Sequence, residues 1–312
     1  MNTKTIAVVG IAVVLVAALA FVALTSDADE AEYELITSSD AAMTSALGGA
    51  LENGEHIVVT LWSPHWAFAE YNTDEYNLVY LDDPEGTFGA AEDIITFGSE
   101  AFNASAEKEH AKTILSKFNW TDEDIGAVMG YINAEEGQDA NAKGAQKWID
   151  NEGAPLVANW TDGIPTGDKD TTLKLALVNW ACAQASSNVM KIVLEDVGYT
   201  VEMHDVNANA MYSGLADGSY DFITTAWLPA THAAYIEDHG DDIVELGVSY
   251  TGAKLGLVVP NYTAEALGIT SITDLRGNGS HFDNQIIGID AGAGLMSLAA
   301  DAMVDYELNQ PI

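Results

Sequence analysis

Beyond residue 32 the chain alternates short apolar runs with stretches in which apolar residues recur every three to four positions. Runs of strand length separated by helical periods read as β–α–β units and predict an α/β class. The runs at 56–62, 173–180, 200–205, 222–227, 254–259 and 285–290 predict strands. Helical periodicity predicts helices over 41–51, 105–118, 121–133, 141–151, 183–197, 209–215 and 292–306, and makes 98–160 predominantly helical. Ahead of all this, residues 6–25 form 20 consecutive uncharged, mostly apolar positions. A helix of that length rises about 30 Å, the thickness of a bilayer core. Lys4 precedes the run and Asp27, Asp29, Glu30 and Glu32 follow it, a bias that sends the remainder of the chain outside the cell. Residues 1–25 are expected to be a membrane anchor or a cleaved signal peptide, with 26–32 an acidic linker.

One pattern occurs twice. Thr60-Leu61-Trp62-Ser63-Pro64 and Thr225-Ala226-Trp227-Leu228-Pro229 share T-x-W-x-P at the carboxyl end of an apolar run. A third run ends at Trp180. Open α/β sheets bind ligands beyond the carboxyl ends of their strands, so three indoles at such ends are either core residues or one shared site. His65 and His232 stand in the two Trp-Pro loops.

Charge narrows the partners. The chain has 312 residues, with 48 Asp+Glu against 11 Lys+Arg and a formal net charge of −37. Phosphate binding needs clustered Lys and Arg, so nucleic acid is excluded as a partner, as is a basic membrane-surface module. An apolar fraction of 48% and seven Trp argue for packed cores rather than disorder. The acid excess is expected on a solvated exterior, the kind of surface that stays hydrated in strong brine. One cysteine, Cys182, excludes a disulfide framework, a CxxC redox pair and a cysteine zinc site, and it is expected to be a buried, inert thiol.

The chemistry of an enzyme is missing. There is no HExxH, GxSxG or P-loop, and no metal-ligand spacing, so neither a metal nor a cofactor is expected. Gly292-Ala293-Gly294 follows a strand and opens a helix, but it lacks the third glycine of a dinucleotide fingerprint. Free backbone N–H groups at such a helix start suit a small anion such as a carboxylate. Indole faces attract a weakly hydrated cation. Together these point to a small zwitterion with a methylated nitrogen.

The segments at 173–235 (LALVNWACAQ…TTAWLPATHAAY), 252–260 (GAKLGLVVP), 288–296 (GIDAGAGLM), 38–43 (SSDAAM) and 58–68 (VVTLWSPHWAF) resemble substrate-binding proteins of glycine betaine ABC transporters. The resemblance covers essentially all of 33–312, in an order that looks circularly permuted. It implies the type II periplasmic-binding-protein fold: two α/β lobes joined by hinge strands with the ligand cleft between them. One lobe would hold 33–82 together with 255–312, and the other 83–254. By motif, the family's tryptophan prism around the trimethylammonium group falls on Trp62, Trp180 and Trp227. Trp66, one helical turn from Trp62, is the alternate for the first position, and His65 stands beside it. The family's carboxylate-binding histidine falls on His232 and its two backbone amides on Gly294 and Leu295. The resemblance further implies an extracytoplasmic, non-enzymatic protein that hands glycine betaine to an ABC permease. The alternatives are a binding protein for proline betaine, choline or carnitine, an extracellular sensor lobe, or an enzyme acting on a methylated amine.

Overall fold

The computed structural model describes residues 32–73, 76–167 and 169–311. The expected anchor or signal segment, 1–25, and all of the acidic linker except Glu32 lie outside the described residues. Among the described residues no helix is long and apolar enough to cross a membrane.

The first elements are β1 (Glu34–Ile36), α1 (Asp40–Asn53), β2 (Val59–Ser63), α2 (Trp66–Glu70) and β3 (Leu78–Tyr80). Strand β4 (Glu92–Ser99) leads into α3 (Glu100–Ala104), α4 (Glu109–Lys117), α5 (Asp122–Asn133), α6 (Ala140–Trp148) and α7 (Ala154–Trp160). There follow β5 (Thr172–Leu177), α8 (Ala181–Val197), β6 (Thr200–Asp205), α9 (Ala208–Ala216), β7 (Phe222–Leu228) and α10 (Ala233–His239). The last are β8 (Ile243–Pro260), α11 (Asn261–Leu267), β9 (Gln285–Ile287) and α12 (Gly294–Asp305).

The strands lie in the order β1-β9-β2-β8-β4-β7-β5-β6, with β3 also on β8. This is two mixed sheets sharing one strand. The first part of β8 runs antiparallel to β4, from Ile243 opposite Ser99 to Ala253 opposite Glu92. From Lys254 to Val258 the same strand pairs antiparallel with β2, and it then pairs with β3. The change of partner coincides with a change in burial. Residues 243–254 are buried only in part, whereas Leu255 to Pro260 are all buried. That continuous apolar run is what a strand covered on both faces requires. Only this second part carried a strand signal in the sequence.

Other differences are local. The strand expected over 173–180 stops at Leu177, and Trp180 is instead the N-cap residue of α8. The helix expected over 105–118 starts at Glu109. Strand β4 was not expected, because Glu92 and Asp93 open it, yet Glu92 is fully buried. The helices between β4 and β5 enclose their own aromatic core. Trp120 makes edge contacts with Phe118, Trp148 and Trp160 at 4.9–6.3 Å between ring centroids. Those three tryptophans are core residues in the ordinary sense.

Candidate functional site

The geometry of the parallel strands sets the site. Strands β2 and β9 in one sheet, and β5 and β7 in the other, bring their carboxyl ends to a common junction. Trp62 is the fourth residue of β2, opposite Leu255 of β8, and Trp227 is the sixth of β7. Trp180 follows β5 and opens α8. All three indoles line one small cavity, with His232, Gly294 and Leu295. Cys182, Leu255 and Ile289 add to its wall. Among the described residues no cluster of His, Cys, Asp or Glu is arranged to hold a metal ion.

The protonation of His232 follows from its neighbours. The Trp227 N–H donates to Nδ1 at 3.1 Å and the Tyr212 hydroxyl lies 2.8 Å from the same atom. A nitrogen that accepts a backbone N–H carries no proton, so in the neutral ring the proton is on Nε2. The ring is fully buried, and burial lowers its pKa to about 3. At ordinary pH His232 is therefore a neutral imidazole, and Nε2 has no partner among the described residues. A buried donor left unpaired costs about 1–3 kcal/mol, so the site carries a built-in demand for an acceptor.

The loop that presents His232 is held from below. The His232 N–H donates back to the Trp227 carbonyl at 3.0 Å, closing the turn. Glu92 Oε1 accepts the N–H groups of Ala230 and Thr231 at 2.8 and 2.7 Å. Burial raises the Glu92 pKa against the pull of those donors. Both T-x-W-x-P segments contain a cis X–Pro bond, Ser63–Pro64 and Leu228–Pro229.

Opposite His232 lies the start of α12. No side chain caps this helix, and the first N–H groups of an α-helix lack intrahelical partners. Those groups belong to Gly294 and Leu295. Gly294 is required sterically, since a Cβ there would stand 1.8 Å from the Thr231 carbonyl oxygen. The His232 loop and the α12 start are thus packed to the limit of backbone contact.

Trp62 is buried and lines the cavity, whereas Trp66 is half-buried and lines a separate outer groove with Tyr71, Met129 and Ile132. His65 lines neither. It is buried, edge-on to Trp62 at 4.7 Å, and its Nε2 lies 3.2 Å from Asp40 Oδ1. Cys182 is buried, and its thiol is pushed up to about 12, mainly by burial; it is inert as a nucleophile at neutral pH. Two acids, in a chain whose acid excess is expected on the solvated exterior, belong to the junction. Asp40 is buried, and Asp290 accepts the Trp180 indole N–H at 2.9 Å. Both stand inside motifs already singled out, SSDAAM and GIDAGAG, but nothing in the pattern marked these positions.

The model for the substrate-binding domain of ABC-type glycine betaine transport systems matches residues 23–151 and 171–312. The glycine betaine/carnitine transport binding protein GbuC of Listeria monocytogenes serotype 1/2a (strain 10403S) is 38% identical over 248 residues, covering 80% of this chain and 78% of that protein. The glycine betaine/proline betaine-binding periplasmic protein of Salmonella typhimurium (strain LT2) is 34% identical over 85 residues, 27% of this chain and 26% of that protein. Among solved structures, a phosphate-binding protein of a phosphate ABC transporter from Streptococcus pneumoniae TIGR4 aligns with TM-score 0.38 and 11% identity, over 90% of this chain and 84% of that one. The chain belongs to the family of substrate-binding domains of ABC-type glycine betaine transport systems, transport proteins with a periplasmic-binding-protein-like fold and no enzymatic activity.

Proposed function

We propose that the protein captures glycine betaine outside the cell and delivers it to the permease of an ABC importer. The trimethylammonium group sits among Trp62, Trp180 and Trp227, and the carboxylate takes the His232 Nε2–H with the N–H groups of Gly294 and Leu295. The observation that carries this reading is the pairing, in one small cavity, of three indoles with a neutral, buried, unpartnered histidine donor. Indole faces attract a quaternary ammonium by about 0.5–2 kcal/mol per contact. A primary ammonium would need hydrogen-bond acceptors that the indoles do not offer. The donors opposite select an anionic end, so choline, which carries only a hydroxyl, fits half of the site.

Residues 33–82 with 255–312, and residues 83–254, move as two lobes about the point where β8 changes partners. Trp62, Gly294 and Leu295 then come from one lobe and Trp180, Trp227 and His232 from the other, so that only closure completes the box. Residues 1–25, outside the described residues, serve in this reading as a membrane anchor or as a signal peptide that is removed on export. Calorimetric titration with glycine betaine, carnitine, proline betaine and choline tests the reading. Binding of the three zwitterions with quenching or shift of tryptophan fluorescence is expected, and absence of heat with every betaine would refute it. Carnitine, with a longer chain between its charged ends, is expected to bind more weakly than glycine betaine in a cavity this small.

A further inference from the structure

Helix α8 spans Ala181–Val197, 17 residues, and its N-cap residue Trp180 supplies no capping side chain. The cap comes from elsewhere. Asp40, the first residue of α1 in the other sheet half, accepts the Ala181 N–H on Oδ2 at 2.8 Å. One residue earlier, the Trp180 indole N–H donates to Asp290 Oδ1 at 2.9 Å. Asp290 also lies across the junction, between β9 and α12. Two carboxylates from one half therefore hold two consecutive residues of the other.

We propose that Asp40 and Asp290 are a closing latch, gripping the Trp180–Ala181 step of the opposite lobe and fixing the Trp180 indole in the ligand box only when the lobes meet. The proposal rests on the lobe-closure reading above. An aspartate at a helix N-terminus satisfies an orphan N–H and complements the helix dipole; here the aspartate is supplied in trans, so its stabilisation accrues to the closed state alone. Asp40 is braced for the task. His65 Nδ1 accepts the Ala67 N–H at 3.1 Å, which places the ring proton on Nε2, facing Asp40 Oδ1 at 3.2 Å. The same histidine ring abuts Trp62. The brace of the latch thus touches the indole contributed by its own lobe, while the latch holds the indole contributed by the other. A third bond, from the Tyr235 hydroxyl to the Gly292 carbonyl at 2.6 Å, spans the junction beside them.

The test uses Asp40→Ala, Ala181→Pro and the double variant of the full chain, with betaine binding followed by stopped-flow tryptophan fluorescence. Proline is well tolerated at the first helical position, and Trp180 already has the extended backbone that precedes proline, with φ −103° and ψ 148°. Ala181→Pro thus removes the latched N–H without breaking the helix. Each single variant is expected to weaken betaine about five- to ten-fold through faster dissociation, the scale of one lost cap. The double variant is expected to be no worse than Asp40→Ala. The melting temperature without ligand should be unchanged in Ala181→Pro, whereas Asp40→Ala also orphans the buried His65 Nε2–H within its own lobe and should melt lower. Asp290→Asn keeps an acceptor and is expected to retain more affinity than Asp290→Leu. Wild-type affinity in Ala181→Pro, or losses that multiply in the double variant, would overturn the latch. If the wild type takes no betaine the ligand reading fails on its own. The latch is then judged by the distance between dyes placed on the two lobes. A closed population that both variants abolish supports it, and identical distributions overturn it.

Discussion

Replacing His232 by Asn isolates the hydrogen bond on which ligand choice is proposed to depend. His232 has two tasks that the structure separates by atom. Nδ1 accepts the Trp227 N–H and faces the Tyr212 hydroxyl, while Nε2–H is the unpartnered donor at the cavity. Asn places its polar atoms near the position of Nδ1 and nothing at Nε2. The buried Trp227 N–H keeps an acceptor and the ligand loses its donor. A hydrogen bond to a charged group contributes about 1.5–3 kcal/mol net, which is roughly a ten- to 150-fold loss of affinity. The comparison ligand is choline, which keeps the trimethylammonium group and lacks the carboxylate. Titration of wild type and His232→Asn with both ligands should show a large loss for glycine betaine and a loss within about two-fold for choline, taking a factor of two as the resolution of such a comparison. The Ala variant behaves differently, because it also orphans the Trp227 N–H and the Tyr212 hydroxyl, at about 1–3 kcal/mol of stability for each buried group. Its melting temperature should fall below that of the Asn variant. Equal losses for betaine and choline in His232→Asn would refute the assigned role, whatever happens to stability.

Trp62→Ala is expected to weaken betaine binding by roughly ten-fold or more, since it removes a cation–π wall of the cavity, whereas Trp66→Ala should change it by less than about three-fold; the reverse ranking in titrations would move the box to Trp66. Gly294→Ala places a Cβ against the Thr231 carbonyl but is favourable within the helix, so betaine affinity should fall at least about ten-fold by overpacking while the ligand-free melting temperature holds. A parallel fall in both would show that Gly294 serves folding rather than closure. The depressed His232 pKa also has a sign for stability. The unfolded chain takes up a proton near pH 6.5 and the folded chain refuses it until about pH 3, so stability attributable to this group is present above pH 6.5 and is lost as pH falls between those values. Relative to His232→Asn, wild type should lose up to about 1.4 kcal/mol per pH unit there, as read from denaturant unfolding. Betaine affinity should stay level from pH 8 to pH 5, and a drop centred near 6.5 would mean an ordinary, solvated histidine.

The composition of the site was legible where a residue's role is local. Trp62 and Trp227 announce themselves through a repeated T-x-W-x-P at strand ends, and the glycine-rich start of α12 through its position after a strand. Trp180 stood out as the end of a third apolar run and His232 as one of two histidines in the Trp-Pro loops; the resemblance chose His232 between them as the carboxylate donor. Strand β4 and the first part of β8 were not legible. Glu92 and Asp93 open the one, and Gly247 and Gly252 interrupt the other, so neither shows the apolar run or clean alternation by which a strand is read. Their pairing with each other, and that of β4 with β7, supplies what their own sequences do not.

Asp40 and Asp290 mark the same boundary at the site. In a chain with 48 acidic residues, an aspartate is expected in water, and only contact with Ala181 and Trp180 distinguishes these two. By itself the sequence determined the alternation of strands and helices, the apolar faces that bury them and the indoles at strand ends, because each depends on the spacing of neighbours along the chain. The tertiary structure alone decided which of Trp62 and Trp66 enters the cavity, which nitrogen of His232 carries the proton and which carboxylates cap the opposite half. The caps are settled by atoms 110 and 141 residues apart in the chain meeting within hydrogen-bond distance, and the choice of Trp62 by which indole the packing turns into the cavity. The His232 proton is settled by the Trp227 N–H and Tyr212 hydroxyl facing Nδ1, and by the exclusion of water from the junction between two sheets.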